Sequence, residues 1–216
     1  MTTQIDRANQ LNALHVKGDP LILFNIWDAG SAQAVQATGT KAIATGSWAV
    51  AAAQGYEDGE QLPFGEVLAN LKRIIARIDL PVTIDLEGGY GRSPAEVQQT
   101  VMKVMEAGAV GINLEDQKMG EEGLYSTEEQ CERVRAVRRA ADDASIPLFI
   151  NARTDIFLKS PPDHHDARHL DEAVHRAQAY AESGASGFFA PGLRNPHDIE
   201  TLCARSPVPR QCYGPV

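Results

Sequence analysis

Short apolar runs alternate along this chain with longer stretches in which apolar positions recur every three or four residues. The runs Leu21–Asn25, Ala42–Thr45, Val82–Leu86, Val110–Leu114, Leu148–Asn151 and Gly187–Ala190 are too short for helices and predict six strands. The stretches Ser31–Ala37, Phe64–Ile78, Pro94–Ala107, Thr127–Ala144 and His169–Ser183 predict helices, and another begins near Pro196. Ser93 can cap the helix that Pro94 opens, and Gly39, Gly108 and Gly184 stand where helices should stop. Strand followed by helix, repeated, predicts a parallel sheet with helices outside it.

Charge gathers where the strands end. Val82–Ile84 runs into Asp85-Leu86-Glu87-Gly88-Gly89-Tyr90-Gly91, Val110–Leu114 into Glu115-Asp116, and Leu148–Ala152 into Arg153-Thr154-Asp155. A doubly wound sheet shares the same alternation, but its dinucleotide-binding form needs Gly-x-Gly-x-x-Gly after an early strand, and none is present. A (β/α)8 barrel draws its site from many strand ends, so an α/β fold of the TIM-barrel type is predicted. Clustered carboxylates repel unless a cation or proton lies between them. Mg2+ takes a few carboxylate oxygens and keeps several waters, which Asp85, Glu87 and Glu115 can satisfy as a set; each alone reads as a solvated loop acid.

The 216 residues, 43% of them hydrophobic, suffice for one large core, so residues 1–216 are expected to form one barrel domain. The net charge of -9 has no basic block within it, which argues against a nucleic-acid partner. No apolar run approaches ~18 residues and Met1–Arg7 lacks a basic-then-apolar layout, so no membrane partner is expected and the location is taken as cytoplasmic. Cys131, Cys203 and Cys212 are odd in number and form no Cys-x-x-Cys pair, as expected of reduced thiols.

Seven motifs, in this order, carry a family resemblance: Asn25-Ile26-Trp27-Asp28-Ala29, Ala44-Thr45-Gly46-Ser47, Gly55-Tyr56-Glu57-Asp58-Gly59-Glu60, the Asp85–Gly91 segment, Gly111-Ile112-Asn113-Leu114-Glu115-Asp116, Asn151-Ala152-Arg153-Thr154-Asp155 and Pro191-Gly192-Leu193. Over nearly its whole length the chain resembles the isocitrate lyase/phosphoenolpyruvate mutase superfamily, particularly its short members. The resemblance implies a carbon-carbon bond lyase dependent on Mg2+, with Mn2+ as the alternative ion. It would act on a small 2-oxo or 2-hydroxy carboxylate through a metal-stabilised enolate. It further implies that Asp85 coordinates the metal directly or through water while Asp58, Glu87 and Glu115 hold its water shell. The amides around Gly46 and Ser47 would form an oxyanion site, and Arg153 would steady a substrate carboxylate. The other reading of Arg153 is an ion pair with Asp155 or Glu115. Tyr90 reads as packing and support for the glycine turn.

Several features depart from the family pattern. The loop Gln117–Tyr125 lacks the Lys-Lys/Arg-Cys-Gly-His segment of isocitrate and methylisocitrate lyases, which argues against a tricarboxylate substrate and leaves Glu121, Glu122 or Tyr125 as proton-transfer candidates. The gating asparagine of the phosphonopyruvate enzymes is not evident, which weakens a carbon-phosphorus mutase or hydrolase, the further alternative. Trp48 either narrows the pocket or fills the core, and packing is the expected role.

A complete barrel needs ~250 residues, and this chain ends where the seventh strand should begin, so most of the last two βα units are expected to be missing. Ser206–Val216 does not read as a strand, although a one-nucleotide frame shift after Pro209 would restore the family-like Val-Asn-Val-Met. Family members tend to form dimers or tetramers by exchanging a C-terminal helix, so any homo-oligomer here would need another route. A catalytically silent binding or assembly fragment is the alternative function. His165 and His169 have metal-ligand spacing but no further partner and read as a solvated loop entering a helix. Asp28 reads as a helix cap as readily as a pocket residue.

Overall fold

The computed structural model describes residues 2–211. Seven parallel strands lie side by side in chain order: β1 Phe24–Ile26, β2 Ile43–Thr45, β3 Val82–Asp85, β4 Gly111–Glu115, β5 Phe149–Arg153, β6 Gly187–Phe189 and β7 Arg210–Gln211. No strand order is reversed, so there is no switch point of the doubly wound kind, and the sheet curls as an incomplete barrel. Among the described residues β1 and β7 each have one neighbour.

All six predicted strands form, with ends shifted by at most three residues. The seventh corrects the sequence expectation, since Arg210 and Gln211 pair with Phe188 and Phe189. The open edge of β6 offers backbone donors and acceptors that no local propensity records. Cys212, the rest of the tail and the second half of the frame-shift segment Arg210–Tyr213 lie outside the described residues.

The helices are α1 Gln4–Ala13, α2 Ala29–Gln36, α3 Ser47–Ala53, α4 Phe64–Ile75, α5 Pro94–Glu106, α6 Thr127–Asp143, α7 Ala167–Glu182 and α8 Pro196–Arg205. Two of them, α1 and α3, lie outside the stretches whose periodicity predicts helix. Thr3 and Asp6 close a capping box that starts α1. Gln4 Nε2 then donates to the carbonyls of Met105 and Ala109, and Leu11 packs with Ala8, Ala42, Val110 and Phe149 at the N-terminal end of the sheet. Gly111 makes this close approach feasible, because a Cβ there would lie 2.9 Å from the Leu11 side chain and 2.8 Å from Thr83 Oγ1.

Each long strand sorts its side chains by alternation. Ile84, Ile112, Leu114, Ile150 and Ala152 are buried in the main core, which also takes the apolar faces of α4 to α7. The alternate positions Thr83, Asn113 and Asn151 line an interior cleft of about 690 Å³. There Asn151 Nδ2 bonds Asn113 Oδ1 at 2.9 Å. One step further along the same face stand Asp85, Glu115 and Arg153. No helix among the described residues is long and apolar enough to cross a membrane.

Candidate active site

Strand register fixes the first three members of the site. Glu115 lies opposite Arg153, while Asp85 ends β3 opposite Asn113. Arg153 Nη1 is 3.0 Å from Glu115 Oε2 and 3.9 Å from Asp85 Oδ2, and Nε and Nη2 grip Asp155 at 2.6 and 3.0 Å. Both ion pairs considered for Arg153 therefore form at once. The bidentate edge of the guanidinium is turned to Asp155, leaving Nη1 facing the acids.

The start of α3 and the turn after β3 supply donors to Asp85. Its Oδ2 accepts from the Ser47 amide at 3.4 Å and the Ser47 hydroxyl at 3.2 Å, and Oδ1 accepts from the Glu87 amide at 3.3 Å. Gly46 caps α3 just beyond β2 and leads into Ser47; a Cβ at Gly46 would lie 3.1 Å from Asn25 Nδ2. Glu87 ties the loop before α4 to the end of β3: its Oε2 accepts from the amides of Gly59 and Glu60 at 2.8 and 2.7 Å, and Tyr90 Oη donates to Oε1 at 3.1 Å. Asp58, exposed on that loop, adds negative charge near Glu87. The structure thus brings Gly46, Ser47, Asp58, Asp85, Glu87, Glu115 and Arg153 to one end of the sheet.

Burial dominates the electrostatics there. Loss of solvent raises the Asp85 carboxyl despite nearby Arg153 and the Ser47 donors. Glu87 is pushed up to about 7, first by burial and then by the charges of Asp58 and Asp85, against the Glu60 amide bond. Glu115 is raised by burial and by neighbouring acids that outweigh Arg153, whose one guanidinium is divided among three carboxylates.

The donor set fits Mg2+ in one specific way. Among the described residues no group of three or more His, Cys, Asp or Glu side chains is arranged to hold a metal ion alone. Asp85, Glu115 and Asp155 are nevertheless largely buried around one guanidinium, with Glu87 buried just beyond β3, a surplus of negative charge that a cation would offset. Hard oxygen donors in an incomplete shell suit an ion that retains water and accepts ligand oxygens.

The remaining candidates settle into structural positions. Trp48 corrects the packing expectation: α3 buries Val50 and Ala51, and Trp48, on another side of the helix, is 70% exposed. Asp28 caps α2 in a capping box with Ser31. His165 Nε2 contacts the carbonyl oxygens of Phe157 and Ser160, and His169 bonds Asp166 at the start of α7, so neither ring joins the acid site. Glu121 pairs with Arg92, and the Tyr125 ring lies under Arg133. On α6, Gln130 and Arg133 share the buried face with Val134, Val137 and Ala141, and nothing local in the sequence marks them. Glu60, which the Gly55–Glu60 motif contains without an assigned role, accepts from the Tyr90 amide through Oε1 at 2.7 Å.

Known proteins agree with this architecture. A family model described as phosphoenolpyruvate phosphomutase matches residues 11–214. The 2-methylisocitrate lyase of Escherichia coli (strain K12) is 34% identical over 182 residues, which are 80% of this chain and 58% of the lyase. An uncharacterised protein of Mycobacterium tuberculosis (strain ATCC 25618 / H37Rv) is 31% identical over 91% of this chain and 70% of its own length. A crystal structure from Burkholderia cenocepacia J2315, provisionally assigned as a phosphonomutase, superposes with a TM-score of 0.93 at 47% identity, covering 96% of this chain and 82% of that one. Phosphonopyruvate hydrolase, solved with oxalate and Mg2+, shares the fold with a TM-score of 0.83 at 22% identity, covering 96% and 71% of the two chains. With nearly its whole length matched, the chain belongs to the phosphoenolpyruvate mutase family of the isocitrate lyase/phosphoenolpyruvate mutase superfamily.

Proposed function

We propose that this chain is a Mg2+-dependent lyase that breaks a carbon-carbon bond in a small 2-oxo or 2-hydroxy carboxylate by way of an enolate. The observation that carries the reading is the buried surplus of carboxylate around Arg153 at the ends of β3, β4 and β5. Asp85 would hold Mg2+ directly or through water, with Asp58, Glu87 and Glu115 around its water shell; Mn2+ could replace it. When bound, the ion supplies positive charge beside the oxygen on which negative charge develops.

The protein's own groups account for the rest. Ser47 presents an amide and a hydroxyl beside Asp85, placed to bind an oxyanion next to Gly46. Asp155 holds the Arg153 fork rigid, so that Nη1 orients the substrate carboxylate. Residues 1–216 act in this reading as one barrel domain in the cytoplasm, with a small carboxylate as partner.

Calorimetric titration with oxalate, an enolate mimic, with and without Mg2+ tests the reading. The wild type should bind only with Mg2+. Asp85→Ala should weaken binding by more than the roughly 10- to 100-fold that loss of an outer-shell partner costs. A folded wild type that ignores oxalate at saturating Mg2+ would replace the enzyme with a catalytically silent fragment. Carbon-phosphorus mutase or hydrolase chemistry is the second reading, favoured by the 47% likeness to the Burkholderia structure; turnover of phosphonopyruvate in preference to 2-hydroxy carboxylates would establish it.

A further inference from the structure

Arg133, Arg153 and Arg176 are largely buried, and their guanidinium groups are satisfied differently. Arg153 lies among carboxylates, and Arg176 is paired with Asp116 at 2.8 Å and Glu172 at 2.8 Å. Arg133, 1% exposed on α6, has no carboxylate within ion-pair distance among the described residues. Its guanidinium is spent on backbone. Nη1 donates to the carbonyls of Gly91 and Arg92 at 2.9 Å each, and Nη2 to the carbonyl of Gly88. Nε donates to Gln130 Oε1 at 3.0 Å, and the Tyr125 ring lies 4.3 Å from the guanidinium carbon.

The segment it grips is the turn after β3, where Glu87 and Tyr90 both have φ of 51° and Gly89 has φ of 91°. Left-handed backbone at two residues with side chains persists only where the surroundings impose it. This turn sets the direction of Glu87 and of Tyr90, whose amide and hydroxyl hold Glu60 and Glu87. A guanidinium offers planar, divergent donors that can meet three carbonyls together; an ammonium on a flexible stem cannot hold the same geometry.

We propose that Arg133 is a positioning residue for the strand-end site, reaching from α6 to lock the 87–91 turn so that Glu87 meets the Gly59–Glu60 loop. This rests on the reading of that site as a Mg2+ and carboxylate site. Arg133 touches neither ion nor substrate and acts only through the turn. A purely structural anchor would lower thermal stability yet leave ligand affinity, measured well below the melting temperature, unchanged.

The test is Mg2+-dependent oxalate titration of the full chain as wild type, Arg133→Lys and Gln130→Met, with folding checked by circular dichroism. Arg133→Lys should bind oxalate at least tenfold more weakly, and Gln130→Met, which frees Nε alone, about threefold more weakly. With bound Mn2+ as the probe, the electron paramagnetic resonance spectrum of the oxalate complex should broaden in the same order. Unchanged affinity and spectra in folded variants overturn the positioning role while the site reading stands; if Arg133→Lys does not fold, Gln130→Met decides. A wild type that binds no oxalate with Mg2+ overturns both.

Discussion

At the helix N-termini, Glu96 and Glu129 lie in solvent and accept amide hydrogens of Ser93 and Ser126, which lowers their carboxyls below the usual range. At the strand ends, Asp85 and Glu87 also accept amide hydrogens, yet their carboxyls rise. The donors are alike; the surroundings are not. In solvent a carboxylate loses little hydration when it accepts a hydrogen bond, whereas Glu87 is 5% exposed and has Asp58 and Asp85 as neighbours. The chain therefore uses one group in two ways, to stabilise helices at its periphery and to accumulate charge at one end of the sheet.

Removing the central cation should have the largest effect. Arg153→Met leaves Glu115, Asp155 and Asp85 buried without a counter-charge and should cost about 3–5 kcal/mol in urea unfolding at pH 8. The cost should shrink at pH 5, where the acids can take up protons. A loss below about 1 kcal/mol at pH 8 would mean that these acids are not electrostatically loaded, and the contrast with the caps would collapse.

The pH profile comes next. Because Glu87 is raised to about 7 in the folded state, the folded protein holds a proton that the unfolded chain has released, so stability falls as pH rises from the ordinary glutamate range through 7. The size is ~3 kcal/mol, and Glu87→Gln should flatten that part of the curve. The caps have the opposite sign: their lowered values add stability that is lost as acid protonates them at lower pH. A wild-type urea midpoint that rises between pH 5 and pH 8 would contradict the assignment. The smallest effect belongs to the periphery, where Ser126→Ala removes one side of the α6 capping box and should cost about 1 kcal/mol at any pH from 6 to 8.

Legibility from sequence followed the range of the interactions involved. Asp85, Glu115 and Arg153 could be placed in advance because each ends an apolar run, and a strand's end is a local event. The caps of α2 and α5 were readable for the same reason, since a capping box spans four positions. Trp48 was misjudged because hydrophobicity suggests burial, while the burial of Val50 and Ala51 settles which side of α3 meets the core. Arg133 was invisible as a functional candidate: in a helix rich in arginine and glutamate, nothing local distinguishes the one that turns inward.

By itself the sequence determined the strand-helix alternation, the parallel sheet and the row of charges at its ends, because periodicity and termination act over a few residues. Tertiary structure alone decided that α1 closes the N-terminal end of the sheet, that β7 pairs with β6, and that Asp155 occupies the fork of Arg153. It also decided that Arg133 reaches across to the turn after β3. Apart from the Arg153–Asp155 pair, those outcomes join groups distant in the chain that are left without hydrogen-bond partners until the sheet assembles, and that demand arises only from burial.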